Sequence, residues 1–401
     1  MGLLTLNKGM NPVNSGKRQI KPIRCKPVRI GAWLMWAACL LAVAVPVMSQ
    51  DEDFRRVDGP CNLRFPDDHG PHPGYRTEWW YYTGNLADDA GRRFGFQLTL
   101  FRHQISPPGA ERKWPRPASR WRTRQLYLGH AAITDIQAEQ HLFAEEIARE
   151  ALSLSGTRRE GDRVELFLKN WQIAITPQNH HLQASTEAFS LDLTLVPEKD
   201  LVLHGEEGYS RKGSQADMAS CYYSFTRLAA RGAIGLDESQ FAVSGLAWMD
   251  HEFSTAPLEP GLEGWDWFSL QLEDRTELMV FTLRRAAGGL HPASSGTFVL
   301  ADGTARAIGK DAFDLKAQAH WKSPSSGAEY PVRWRLTIPE LRINLVIEAG
   351  LVDQEMRTTQ STGVTYWEGS VSVRGTSRGQ PVAGVGYVEL TGYAEPFDRP
   401  L

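Results

Sequence analysis

Most of the signatures that mark an enzyme class are missing from this chain. It has four cysteines, Cys25, Cys39, Cys61 and Cys221, and they form no CxxC pair and no Cys/His cluster, so structural zinc has no support. No GxSxG elbow is present, and Cys221 sits in SCYYS without a neighbouring histidine, which leaves serine or cysteine hydrolysis without a motif. A P-loop is absent, as is any GxGxxG between a strand and a helix, so no phosphate cradle is built. Long amphipathic helices are lacking as well. LFAEEIARE (142–150) is the best candidate, and a turn followed by an edge strand is its alternative. Positive charge is scarce outside the N-terminus. The first fifty residues hold seven cations and no acid, so the 44 cations and 47 acids of the whole chain leave 37 against 47 beyond residue 50. That net charge of about −10 is the wrong sign for a nucleic-acid partner.

The N-terminus is a different kind of sequence. Its cations precede the apolar run GAWLMWAACLLAVAVPVM (31–48), and Val47-Met48-Ser49 fits a small-residue cleavage site. The run is slightly short for a bilayer and Pro46 breaks it. Residues 1–50 therefore read as a signal peptide cleaved near Ser49, with an uncleaved anchor as the other reading. The expected location is periplasmic or secreted. In such an oxidising compartment Cys61 and Cys221 can pair and staple the N-terminal arm to the first domain; two separate buried thiols is the alternative.

Abundant instead are aromatic residues, 13 Trp, 16 Phe and 11 Tyr, in runs of period two. Strand-length segments occur at 94–101, 164–168, 171–175, 189–195, 222–228, 241–248, 278–283, 334–338, 343–347, 366–373 and 384–390. Two stretches repeat one another. Trp79, Tyr81, Tyr82, Leu86 and Asp88 match Trp265, Trp267, Phe268, Leu272 and Asp274. After a three-residue gap, Phe96, Leu98, Leu100 and Arg102 match Met279, Phe281, Leu283 and Arg285. VSGLAWMDHEF (243–253) likewise matches VAGVGYVELTGY (382–393), placing Trp248 opposite Tyr387 and Asp250 opposite Glu389. An internal duplication fixes the architecture: all-β, two tandem antiparallel β-barrels, residues 51–256 and 257–401, with 254–264 as linker. Aromatics on both faces of one strand require both faces to be covered. A barrel does this by pointing one set at an interior cavity and the other at its neighbour; two thick sandwich cores are the alternative. Two polar insertions, 103–125 and 197–220, are too long for hairpin turns and read as functional or partly disordered loops.

Two clusters carry candidate chemistry. In FPDDHGPHPGYRTEWWYYTGNL (65–86), Asp68, His69, His72 and Glu78 stand among three prolines that keep the segment off any ladder. No third nitrogen or sulfur ligand is apparent by spacing, so the segment reads as a lid whose polar groups bond across a barrel mouth, and no metal is expected. In AWMDHEF (247–253), Trp248, Asp250 and Glu252 share one face of a regular strand, while Met249, His251 and Phe253 share the other. An Asp among aromatics in an apolar cavity has a raised pKa, which suits a proton donor; a hydrogen-bonded strand-end Asp-His pair is the structural alternative. The 103–125 insertion interleaves Arg112, Lys113, Arg116, Arg120, Arg122 and Arg124 with Trp114 and Trp121. It fits either a membrane surface with anionic headgroups or a solvated loop.

The 65–86 segment, GRRFGFQLTLFR and WMDHEFS…GWDWFSLQL together resemble the AttH / carotenoid 1,2-hydratase family of secreted, duplicated lipocalin-like proteins, over almost all of residues 60–393. The wording is closer to the AttH-like "predicted secreted hydrolase" branch. The resemblance implies two lipocalin-like barrels, a hydrophobic and often isoprenoid ligand, and an ABC transporter permease as partner. It also implies a cofactor-independent hydration, in which a carboxylic acid protonates a terminal double bond, aromatic faces stabilise the cation and water adds. By resemblance Asp250 and His251 are the catalytic pair. The hydratases' Trp two residues after the His is Phe253 here, and their later Tyr-x-Asp is absent from MVFTL (279–283). The expected pocket is formed by Trp79, Tyr81, Trp248, Phe253, Trp265 and Trp267, supported by Asp68, His69, His72 and Glu78. The expected function is binding, and hydration or hydrolysis, of a lipid or isoprenoid. A non-enzymatic lipid carrier serving an envelope exporter, and a sugar-binding protein with stacking tryptophans, are the rivals.

Overall fold

A computed structural model of the chain describes residues 54–117 and 119–397; the signal segment lies outside them. Among the described residues no helix is long and apolar enough to cross a membrane. Strands dominate, as the period-two pattern requires, and they form two antiparallel sheets.

The first sheet runs, in spatial order, Gln140–Arg149, Gln125–Asp135, Arg93–Gln104, Thr77–Asp88, Ser239–Ser254, Ala219–Leu236, Phe189–Pro197, His180–Ser185, Trp171–Ile175, Arg163–Leu168 and Ser155–Glu160. The second runs Ala305–Gly309, Ser295–Val299, Glu277–Arg285, Leu262–Leu272, Gln380–Leu390, Val364–Ser377, Ile343–Ala349, Glu329–Ile338 and Asp314–Lys322. The order follows one pattern in both, with two more strands in the first, so the duplication extends to topology. In each half the two outermost strands are consecutive in the chain and joined by a short connection, which curls the sheet toward closure. In the first barrel, Leu168 and Trp171 close against Gly129, and the Tyr127 hydroxyl lies 3.2 Å from Thr157 Oγ1. The ambiguous 142–150 segment is an edge strand, not a helix.

One glycine records the copying. A Cβ on Gly232 would meet Asp192 O at 2.0 Å, and one on Gly375 would meet Asn344 O at 2.1 Å. Both sit at the same register position, where the backbone of the next strand comes too close for any side chain.

Even-numbered residues of the first hairpin, Trp80, Tyr82, Phe96, Leu98 and Leu100, fill the first barrel together with Leu166, Ile173, Leu193 and Met249. Phe268, Leu270, Leu278, Val280, Trp334 and Trp367 fill the second. Inward-turned tryptophans and phenylalanines pack these two interiors, and the aromatic cavity described below lies between the barrels instead.

The register corrects the sequence alignment of the second hairpin strands. Leu98 pairs with Tyr82, and Val280 pairs with Phe268, the counterpart of Tyr82. Leu98 therefore matches Val280, and the gap is four residues rather than three. A one-residue slip exchanges the faces of a strand. Met279, Phe281 and Leu283 consequently face the other barrel, not their own core. Alternation could not expose the slip, because in 278–283 both faces are largely apolar.

The barrels meet through these outward faces. Asn85 Nδ2 donates to Gly386 O at 2.9 Å, and its counterpart Gln271 Nε2 donates to Ala247 O at 2.9 Å, a reciprocal pair about a pseudo-two-fold axis. Buried Glu277 accepts from Lys199 Nζ at 2.7 Å and Arg227 Nε at 2.5 Å across the same junction. Cys61 and Cys221 form a disulfide that ties the N-terminal arm to the Ala219–Leu236 strand. The 254–264 linker is shorter than expected. Leu262 already begins a strand and joins the interface cluster.

Candidate functional site

A cavity of about 290 Å³ lies between the barrels. Trp79, Tyr81, Phe101, Tyr222 and Asp250 line it from one side, and Trp265, Trp267, Phe281, Tyr366, Glu368 and Glu389 from the other. Four of the six expected pocket residues, Trp79, Tyr81, Trp265 and Trp267, are on this wall. Trp248 stands behind it as a support. Phe253 is elsewhere, stacked on His72 with ring centroids 3.7 Å apart.

Asp250 is the best-anchored polar group of the cavity. Its Oδ2 accepts from the Tyr222 hydroxyl at 2.7 Å, and its Oδ1 accepts from Trp248 Nε1 at 2.6 Å and from Ser224 Oγ. Tyr222 in turn accepts from Trp267 Nε1 of the second barrel at 3.1 Å. Burial pushes the Asp250 carboxyl up to about 7, and the three hydrogen bonds only partly oppose it. The duplicated position carries Glu389, which accepts from Trp265 Nε1 at 3.1 Å and is likewise raised to about 7, chiefly by burial. Directly across the strand pair from Glu389 is Glu368, raised well above the ordinary range by burial and then by the neighbouring Glu389 charge. Glu368 occupies the place that Ser224 holds in the first barrel. Three carboxyl groups thus share an aromatic chamber near neutrality with protons to give.

Lys212, from the 197–220 insertion, closes one side. Its Nζ lies 4.2 Å from the Phe281 ring centroid and 3.1 Å from Glu252 Oε1. His130 also borders the cavity. It bonds to Tyr366 at 2.8 Å and Ser361 at 2.9 Å, and burial lowers its pKa to about 3, so it is neutral.

His251 does not join Asp250. Strand alternation turns it to the opposite face, into the mouth of the first barrel. There its Nε2 bonds to Glu78 Oε1 at 2.8 Å and its Nδ1 to the Tyr223 hydroxyl at 2.9 Å. The structure brings together the four supporting residues around it, away from the cavity. His72 bonds to Glu78 at 2.6 Å and to Asp68 at 3.1 Å, and His69 bonds to Tyr223 at 2.8 Å. Arg102 Nε donates to the other Glu78 oxygen at 2.7 Å, and its Nη2 donates to the carbonyls of His72 and Tyr75. The proline-rich segment is a lid locked over the barrel end. Donor atoms of His72, Glu78 and His251 lie within 4.8 Å of one another, the arrangement of a metal-ligand group. Here they are joined directly by hydrogen bonds, and with Arg102 beside it Glu78 accepts four. The charges of Arg102 and His72 overcome burial and hold Glu78 well below the carboxylate range.

Sequence reasoning missed Tyr222, Phe281, Tyr366 and Glu368. Tyr222 and Glu368 were findable in principle, since their strands precede the duplicated 243–253 and 382–393 motifs. No repeat of residue type linked Ser224 to Glu368, however.

The AttH-like family matches residues 56–393. The chain belongs to the AttH-like family. An AttH-type protein from Nitrosomonas europaea is 34% identical, with a TM-score of 0.74 over 85% of this chain and 100% of that one. Kievitone hydratase from Nectria haematococca shares the fold at 12% identity, TM-score 0.61, over 86% of this chain and 98% of that one. So does CghA, solved with Sch210972, at 13% identity and TM-score 0.53, over 86% and 97%. No curated protein sequence matches the chain.

Proposed function

We propose that this AttH-like protein is a cofactor-independent acid catalyst that adds water to an unsaturated, largely apolar substrate held between its barrels. One observation carries the reading. An aromatic-walled cavity contains a buried carboxyl, Asp250, protonated near neutral pH, with a second acid at the duplicated position. A passive carrier has no use for three costly buried carboxyls. The hydratase among the fold neighbours is consistent with this chemistry.

In the proposed reaction Asp250 transfers its proton to one carbon of a double bond. The π electrons form the new C–H bond, leaving a carbocation on the adjacent carbon. The indole faces of Trp79, Trp265 and Trp267 stabilise that cation. Water attacks it, and the resulting oxonium returns a proton to the Asp250 carboxylate, so the enzyme is regenerated and one water is gained. Tyr222, Ser224 and Trp248 hold the transient carboxylate through their hydrogen bonds. His251 is a positioning residue for the lid, not a proton carrier. The chamber fits a compact molecule or one end of a longer chain.

The test is mass spectrometry of a panel of prenylated phenols and isoprenoid alkenes incubated with the protein in D2O. A product heavier by one D2O, lost in Asp250→Asn and retained in His251→Gln, supports the reading. An intact lipid co-purifying in stoichiometric amount, with no panel member hydrated, would replace it with the carrier.

A further inference from the structure

We propose that the lid end of the first barrel docks on an anionic lipid bilayer. Among the described residues nine large apolar side chains are exposed, and several of them stand in or beside the loop and turn at the lid-side ends of Arg93–Gln104 and Gln140–Arg149. Trp121 is 60% exposed and Ile105 42%, both in the loop between Arg93–Gln104 and Gln125–Asp135. Leu152 and Leu154 are 37% and 38% exposed in the adjoining turn, and Ile147 and Phe65 are exposed as well. The turn is built to present them. Leu152 and Ser153 both take left-handed backbone, with φ of 55° and 58°, where glycine or asparagine would be easier. The Arg149 guanidinium donates to Trp121 O at 3.1 Å, joining turn and loop into one surface.

Charge frames these apolar groups. Arg112, Lys113, Arg116 and Arg120 are all exposed in the same loop, and Arg122 lies over the Trp114 ring at 4.9 Å. Several of the local acids are already engaged. Glu111 is paired with Arg124, Glu146 with Lys169 and Asp67 with Arg159, while Asp68 is held by His72; Glu150 remains in the turn. Beyond residue 50 the chain is net acidic, so the rest of the surface is repelled by an anionic membrane and this end is turned toward it. Spaced cations with interleaved indoles match a headgroup layer rather than a protein partner.

The cavity shares this end. Thr77, Ser220 and Ser254, at the lid-end termini of their strands, line it, and Gln104 N donates to the carbonyl of Arg76, another lining residue. An apolar substrate leaving the bilayer would need only a short path. Docking itself is independent of the hydration reading.

The experiment uses residues 48–401, which include both barrels; the leader is omitted because its own charge and apolar run would bind vesicles. Co-sedimentation is measured with phosphatidylcholine vesicles and with vesicles containing phosphatidylglycerol. Binding to the anionic vesicles only, weakened by salt, is expected. Each cation near such a surface is worth about a fivefold gain, so the quadruple change R112Q/K113Q/R116Q/R120Q should weaken binding roughly a thousandfold. W121S/L152S should weaken it as well. All these sites are exposed, and circular dichroism confirms folding. Equal binding to both vesicle types, no binding to either, or binding unchanged in the quadruple variant would each overturn the proposal.

Discussion

Replacing Asp250 with asparagine tests the site without any substrate. In the folded protein Asp250 is raised to about 7 from 3.8. The sign follows from proton counting. Between those values the folded state holds a proton that the unfolded state has released, so stability falls as pH rises through the window. Below 3.8 the group costs nothing, and above 7 the full cost is reached. The span of about three units corresponds to about 4 kcal/mol. Asparagine imitates the protonated acid, because its oxygen still accepts from Ser224 and Trp248 and its amide donates to the Tyr222 oxygen. Asp250→Asn should therefore match the wild type near pH 4 and be more stable by about 4 kcal/mol at pH 8. Urea unfolding of both proteins across this range reads the difference; titrations common to the two cancel, and Glu389, which the Asp250 charge helps to raise, moves down in the variant and adds to the difference in the same direction. A difference that stays flat from pH 4 to 8 would mean that Asp250 ionises as it does in water. The proton donor would then be lost from the proposed mechanism.

Other outcomes follow from the same geometry. Glu389→Gln removes the charge that raises Glu368, so the Glu368 titration should move downward; the carboxyl infrared stretch reports it. Arg102→Met leaves the buried Glu78 carboxylate without its guanidinium and should cost about 3–5 kcal/mol in chemical denaturation. Because the Cys61–Cys221 bridge closes a separation of 160 residues, the C61S/C221S variant should lose about 2–5 kcal/mol, read as a lower urea midpoint. Gly375→Ala forces a Cβ onto Asn344 O and should destabilise the second barrel, lowering the thermal midpoint.

The fold was largely legible because a duplicated pattern of period two leaves few alternatives. Trp79 and Tyr81 against Trp265 and Trp267 located the equivalent strands and, with them, most of the cavity wall. What could not be read was which side of the sheet held the space. Trp80 and Tyr82 look as suited to lining a pocket as Trp79 and Tyr81, and only packing shows that the even set fills its own barrel. Alternation did separate Asp250 from His251 in advance, and the resemblance to the hydratases had joined them. The Glu368–Glu389 pair stayed hidden because cross-strand neighbours 21 positions apart carry no spacing signal.

The reciprocal bonds of Asn85 and Gln271 carry a historical consequence. A lone ancestral copy would have shown water an aromatic sheet face, and the remedy open to it was to pair with its twin. Such a homodimer would have been obliged to place identical groups on both walls of its central chamber. Joining the twins in one polypeptide lifted that obligation. Ser224 with Asp250 on one wall, and Glu368 with Glu389 on the other, are what independence allowed.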